Sequence, residues 1–294
     1  MAQFRYFSSA FKCALLLLSL GGTASIPPAV AQITPQSLEN AASPPLLPAS
    51  SNDNENKVCS ALATKIAPII RQPTFEGGNW GIIVASLDSG EWLYSHQSDD
   101  YFIPASNIKL LTTAAALNTL QFSTTELLTA FYDWIYVTNQ DSNNRYADAL
   151  LRRLGGAESV VTALEPLGID TTDYRQVDGS GLSRQNIAKP TVFIETLTAM
   201  KTVPERDIFY YSLPVAGYSG TLKNRFHDTT AQGIVRAKTG TLRGVRALSG
   251  YMDHPTQGEL VFSILVNQPG QSGWAMLNAI DEIVVAMSDT EQCD

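Results

Sequence analysis

Three short motifs constrain the fold of this chain more than any other feature. They are Ser106-Asn107-Ile108-Lys109, Ser142-Asn143-Asn144 and Lys238-Thr239-Gly240. A serine hydroxyl becomes an effective nucleophile only when a base takes its proton. Residues three apart on a helix share a face, so Ser106 and Lys109 read as a nucleophile and its base. Ser142 reads as a proton relay and Asn144 as a partner for a substrate amide. Lys238, with the hydroxyls of Thr239 and Thr241, reads as a binding group for a substrate carboxylate. These roles require residues near 240 to fold against residues near 106. Each motif also has a plainer meaning. Ser106 suits a helix N-cap with Lys109 at the surface, Ser142 suits the N-cap of a helix over 143–154, and Lys238-Thr239-Gly240 suits a strand end entering a turn. Three in this order make the joint reading the stronger one.

Pro104 suits a helix start, which places Ser106 in the first turn of a helix over 105–120. Free backbone N–H groups and the helix dipole there favour developing negative charge. The N–H groups of Ser106 and Thr241 are the natural oxyanion donors. Lys109 serves as base only when neutral. Burial and a second cation both lower a lysine pKa, and Lys238 is the candidate second cation.

Arg5 and Lys12 precede an apolar run from Cys13 to Leu20 that is too short to span a bilayer. Ala29-Val30-Ala31 has the small residues of a cleavage site. Residues 1–31 therefore read as an export signal, with a retained anchor as the alternative, and no later segment reaches transmembrane length. Removing the signal takes away Arg5 and Lys12 and no acidic residue, moving the formal charge from −8 to −10. That charge argues against nucleic acid as a partner. Residues 32–56, rich in Pro, Ser, Asn and Ala, read as a disordered linker. His96, His227 and His254 are scattered without metal-ligand spacing, and none has a catalytic motif around it. Beyond the signal, Cys59 and Cys293 stand alone near the two ends of the ordered chain. In an oxidising compartment such a pair points to a disulfide, with two unlinked thiols as the alternative.

Apolar spacing predicts helices over 57–71, 105–120, 125–137, 143–154, 157–167, 190–202 and 273–287. Strands are expected at Trp80–Leu87, Glu91–His96, Ile234–Lys238, Gly244–Met252 and Glu259–Asn267. Strands thus lie toward both ends, helices lie in the middle, and a helix lies at each end of 57–294. The expected class is α+β: one antiparallel sheet built from both ends of the chain, flanked by terminal helices, with an all-helical lobe inserted.

The run Phe102 to Leu117 resembles the nucleophile segment of the class C penicillin-binding proteins, the D-alanyl-D-alanine carboxypeptidases/endopeptidases. So do Asp178 to Arg184, Leu213 to Phe226 and Arg236 to Tyr251. The resemblance implies a serine β-lactamase/DD-peptidase-like fold over 57–294 and the roles above for Ser106, Lys109, Ser142, Asn144 and Lys238. It implies peptidoglycan stem peptides as substrates in the periplasm or cell wall, β-lactam antibiotics as covalent inhibitors, and no metal or other cofactor. In that fold the terminal helices pack side by side, which would bring Cys59 and Cys293 together. Two departures stand out. The family usually carries inserted domains between nucleophile helix and Ser-x-Asn, yet here Lys109 and Ser142 are only 33 residues apart. Arg243 and Arg246 also stand where small or polar residues are expected, and Arg243 is a candidate carboxylate contact. A β-lactamase on the same scaffold is the first alternative function, with Glu165 the tempting deacylation base. A non-catalytic peptidoglycan-binding protein is the second.

Overall fold

The alternating apolar runs from the two ends of the chain meet in one sheet. The computed structural model describes residues 59–291 and Cys293. The expected signal (1–31) and linker (32–56) lie outside the described residues. Five strands, β1 (Asn79–Ser86), β2 (Trp92–His96), β5 (Val235–Leu242), β6 (Val245–His254) and β7 (Gly258–Asn267), pair in the order β2-β1-β7-β6-β5. Every pairing is antiparallel. Two strands from residues 79–96 thus join three from residues 235–267, and β5 forms one edge.

Side chains alternate across the strands, so the sheet builds two cores. On one face Trp80, Ile82, Val84, Phe262 and Ile264 meet α1 (Ser60–Ile70) and α8 (Gly273–Ser288). On the other, Ile83, Ala85, Val261, Leu265 and Tyr251 meet the lobe: α2 (Lys109–Thr119), α3 (Thr125–Gln140), α4 (Asn144–Leu154), α5 (Ala157–Leu164), α6 (Pro190–Ala199) and α7 (Arg206–Ser212). Residues 109–117 of α2 are all buried, so this helix is the axis of the lobe.

Three differences from expectation have local causes. The strand predicted over Ile234–Lys238 continues to Leu242, because Thr239 to Leu242 ladder against β6 as far as the Leu242–Val245 pair. The predicted helix over 105–120 begins as a 3₁₀ turn, Ala105–Ile108, and becomes α-helical only at Lys109. Three short elements carried no periodic signal: the two-residue strands β3 (Tyr174–Arg175) and β4 (Ile187–Ala188), and the seven-residue α7. Cys59, just before α1, is disulfide-bonded to Cys293, beyond α8.

Candidate active site

The nucleophile turn is held from below by the sheet. Asn107 Nδ2 donates to Ser249 Oγ at 2.6 Å, and Ser249 Oγ lies 2.9 Å from Ser263 Oγ on β7. Ahead of the turn, Asn267 Oδ1 accepts from Ile103 N at 2.8 Å and its Nδ2 donates to Ile103 O at 3.2 Å. The backbone between these anchors is compressed: Ala105 has φ 47°, a left-handed conformation that costs a non-glycine residue on the order of 1 kcal/mol. Gly240 on β5 permits the approach, since a Cβ there would lie 2.7 Å from Pro104 O.

Ser106 and Lys109 come together as their spacing predicts. Lys109 Nζ donates to Ser106 Oγ at 2.9 Å and to Asn144 Oδ1 at 2.8 Å. It also donates to the carbonyl of Ser180, which accepts from Ser106 Oγ at 3.3 Å as well. Burial lowers the Lys109 pKa to about 8, while the negative charges of Asp148 and Asp178 oppose that fall. Desolvation, rather than repulsion from Lys238, is therefore the main cause.

The second serine–lysine pair is Ser142 and Lys238. Lys238 Nζ donates to Ser142 Oγ at 2.8 Å and to Thr239 O at 3.0 Å. Lys238 is fully buried on the lobe face of β5. Its pKa is held well below the usual lysine range by burial first and by the Lys109 charge second. Ser142 has φ 53° and is not the helix cap; that role falls to Asn143, whose Oδ1 accepts from Tyr146 N at 3.2 Å. Asn144 begins α4 and points into the site through its bond to Lys109.

Thr239 Oγ1 donates to Thr221 Oγ1 at 2.8 Å. Thr241 is exposed on the edge strand. Arg243 lies exposed on the β5–β6 turn, its carbonyl accepting from Arg184 Nη1 at 3.0 Å. Glu165 is exposed at the start of a 3₁₀ turn after α5. His254 Nδ1 accepts from the backbone N–H groups of Thr256 and Gln257, closing the turn after β6.

The reading of side-chain motifs gave no role to the loop 178–183, which carries the Ser180 carbonyl. Asp178 shapes it: Oδ1 accepts from Gly181 N at 2.6 Å and Oδ2 from Ser183 N at 2.7 Å. Gly181 has φ +84°, and any Cβ there would collide with the Ala105 carbonyl. The only sequence signal was that Asp178 to Arg184 belongs to the resembling stretches.

A sheet edge bearing Lys-Thr-Gly, set against a helical lobe bearing Ser-x-x-Lys and Ser-x-Asn, defines the fold shared by penicillin-binding proteins and serine β-lactamases. Penicillin binding protein 4 from Haemophilus influenzae superposes with a TM-score of 0.63 at 14% identity, over 78% of this chain and 98% of that one. A β-lactamase from Streptomyces albus G superposes with a TM-score of 0.61 at 17% identity, over 79% and 100%. Residues 62–133 and 125–290 match the D-Ala-D-Ala carboxypeptidase 3 (S13) family, and the chain belongs to that family. A D-alanyl-D-alanine carboxypeptidase of Actinomadura sp. (strain R39) is 42% identical over 164 residues, 50% of this chain and 30% of that protein. A penicillin-sensitive carboxypeptidase A of Dictyostelium discoideum is 37% identical over 167 residues, 50% of this chain and 32% of that protein. The matches span about a third of the length of these relatives.

Proposed function

We propose that the protein is an exported serine-type D-Ala-D-Ala carboxypeptidase acting on peptidoglycan stem peptides through an acyl-enzyme on Ser106. The observation that carries this reading is the contact of Lys109 Nζ with Ser106 Oγ, 2.9 Å, at a lysine whose pKa burial lowers to about 8. Neutral Lys109 takes the Ser106 proton as Oγ bonds to the scissile carbonyl carbon. The N–H groups of Ser106 and Thr241 receive the oxyanion. Asn144 holds the substrate amide. Collapse of the tetrahedral species breaks the C–N bond, and Ser142, held by Lys238, relays to the departing D-alanine nitrogen the proton that Lys109 took, which leaves both Lys109 and Ser142 as they began. Water then attacks the ester and returns the proton to Ser106. Thr239 and Thr241 line the carboxylate end of the site, and Arg243 adds a cation at its rim. Export of the chain rests on the sequence of residues 1–31; no helix among the described residues is long and apolar enough to cross a membrane.

A β-lactam offers a strained amide and a carboxylate in similar geometry, so benzylpenicillin should acylate the same oxygen. Intact-mass spectrometry should show one adduct, on the peptide holding Ser106, with slow release. Ser106→Ala should abolish it and Lys109→Ala should nearly do so, whereas Ser142→Ala and Asn144→Ala should slow its formation. An adduct on another serine overturns the assignment, and fast release favours a β-lactamase.

A further inference from the structure

We propose that Asn139 and Gln140, at the end of α3, are positioning residues for Ser142, holding it between Lys109 and Lys238 so that it can pass a proton to the leaving nitrogen. This rests on the acyl-transfer reading above and deepens it, by placing control of the proton relay in two amides outside the three motifs. The starting point is the backbone at Ser142. It lies in the left-handed region, φ 53°, between the end of α3 and the cap of α4 at Asn143. A non-glycine residue keeps that conformation only where its surroundings enforce it. Asn144 holds the α4 side through its bond to Lys109 Nζ. The α3 side is held by Asn139 and Gln140, which are 0% and 5% exposed.

Asn139 reaches the nucleophile helix. Its Nδ2 donates to Ser212 Oγ at 2.8 Å and to Thr113 Oγ1 at 3.3 Å. Thr113 Oγ1 in turn donates to Lys109 O at 2.7 Å, and Ser212 Oγ to Phe209 O at 2.6 Å. One amide therefore fixes the end of α3 against α7 and against α2, at the residue that carries the base. Gln140 reaches toward the edge strand. Its Nε2 donates to Leu213 O at 3.4 Å. Its backbone carbonyl and its Oε1 both lie against Gly220, where a Cβ would collide with each. Thr221, the next residue, accepts from Thr239 Oγ1 at 2.8 Å, and Thr239 adjoins Lys238. The contacts close a ring. It runs from Gln140 across Gly220-Thr221 to Thr239-Lys238, through the 2.8 Å bond of Lys238 Nζ to Ser142 Oγ, and back along Asp141.

Packing alone does not explain these amides. Asn139 Oδ1 and Gln140 Oε1 are buried with no donor among the described residues. A buried unpaired acceptor costs stability. Such costs gather where function sets the geometry.

The test uses the leaving group, because an amine departs only with a proton and a thiolate departs without one. It compares kcat/KM on diacetyl-Lys-D-Ala-D-Ala and on benzoyl-D-alanyl-thioglycolate, an amide and a thioester that both end in a carboxylate. Asn139→Leu and Gln140→Met keep the side-chain size and remove the amide. Each should lose about 10- to 100-fold on the amide substrate and less than about threefold on the thioester. Ser142→Ala should show the same selective loss. In a Ser142→Ala background the two changes should cost less than about threefold further, because the group they place is gone. If Asn139→Leu fails to fold, Gly220→Ala, at an exposed position of the ring, displaces Gln140 and should give the same selective loss. Equal losses on amide and thioester overturn the proposal, as do losses that add in full to that of Ser142→Ala. If Ser142→Ala shows the selective loss and the other variants do not, this inference alone fails. If Ser106 is not acylated, or Ser142→Ala loses equally on both substrates, the reading beneath it fails too.

Discussion

At the scale of single residues, the site consists of two serine–lysine pairs, each built on a buried lysine. Both ammonium groups are destabilised by burial, and Lys238 carries the added repulsion of Lys109. In the proposed mechanism the neutral amine of Lys109 is the base, so kcat/KM for acylation should rise with pH and reach half its maximum near pH 8. Asp148 favours the charged amine through its own negative charge. Asp148→Asn should therefore shift the rising limb to lower pH. A pH–rate profile with benzylpenicillin checks this, and a shift upward would remove Lys109 as the base. Ser106, Lys109, Ser142, Asn144 and Lys238 were legible because their side chains form motifs. The Ser180 carbonyl was not, because a backbone acceptor has no side-chain signature. Strand parity, which the motif alone does not state, sets Lys238 on the lobe face, where its Nζ meets Ser142.

At the scale of elements, catalytic geometry depends on a turn pressed between two glycines. Gly181 of the 178–183 loop and Gly240 of β5 both face the Pro104–Ala105 backbone. Gly181→Ala combines a forbidden φ with a collision at the Ala105 carbonyl, so the loop or the nucleophile turn must move. A displacement of about 1 Å in a catalytic group costs on the order of 100-fold. Acylation by benzylpenicillin should slow by about that factor while the melting temperature falls only modestly. An unchanged acylation rate would show that the loop does not position Ser106. Long helices such as α3 and α8 were legible from their apolar period. The start of α2 was not, because the sheet, through Asn107–Ser249 and Asn267–Ile103, holds residues 105–108 in a 3₁₀ turn that local propensity does not favour.

At the scale of the whole molecule, the sheet is closed by distant parts of the chain, and the Cys59–Cys293 bridge spans 234 residues. A crosslink over so long a loop restricts the unfolded chain and stabilises by roughly 3–5 kcal/mol. Reduction, or Cys59→Ser with Cys293→Ser, should lower the denaturation midpoint accordingly. Acylation of Ser106 should persist, because the nucleophile turn is anchored on the other sheet face through Asn107 and Ser249. Calorimetry with and without reductant checks the first point, and mass spectrometry of the reduced protein checks the second. An unchanged midpoint would mean that the terminal helices are held by packing alone.

Local chemistry in the sequence determined the helix and strand inventory, the α+β arrangement and the residues that meet at Ser106, since side-chain spacing encodes which groups share a face. Tertiary structure alone decided which cation lies on which face of β5. Along β5 the side chains alternate, and only the pairing of β5 with β6 places Arg246 beside Thr241 while Lys238 turns inward. That pairing is a long-range register, and no local pattern of residues specifies it.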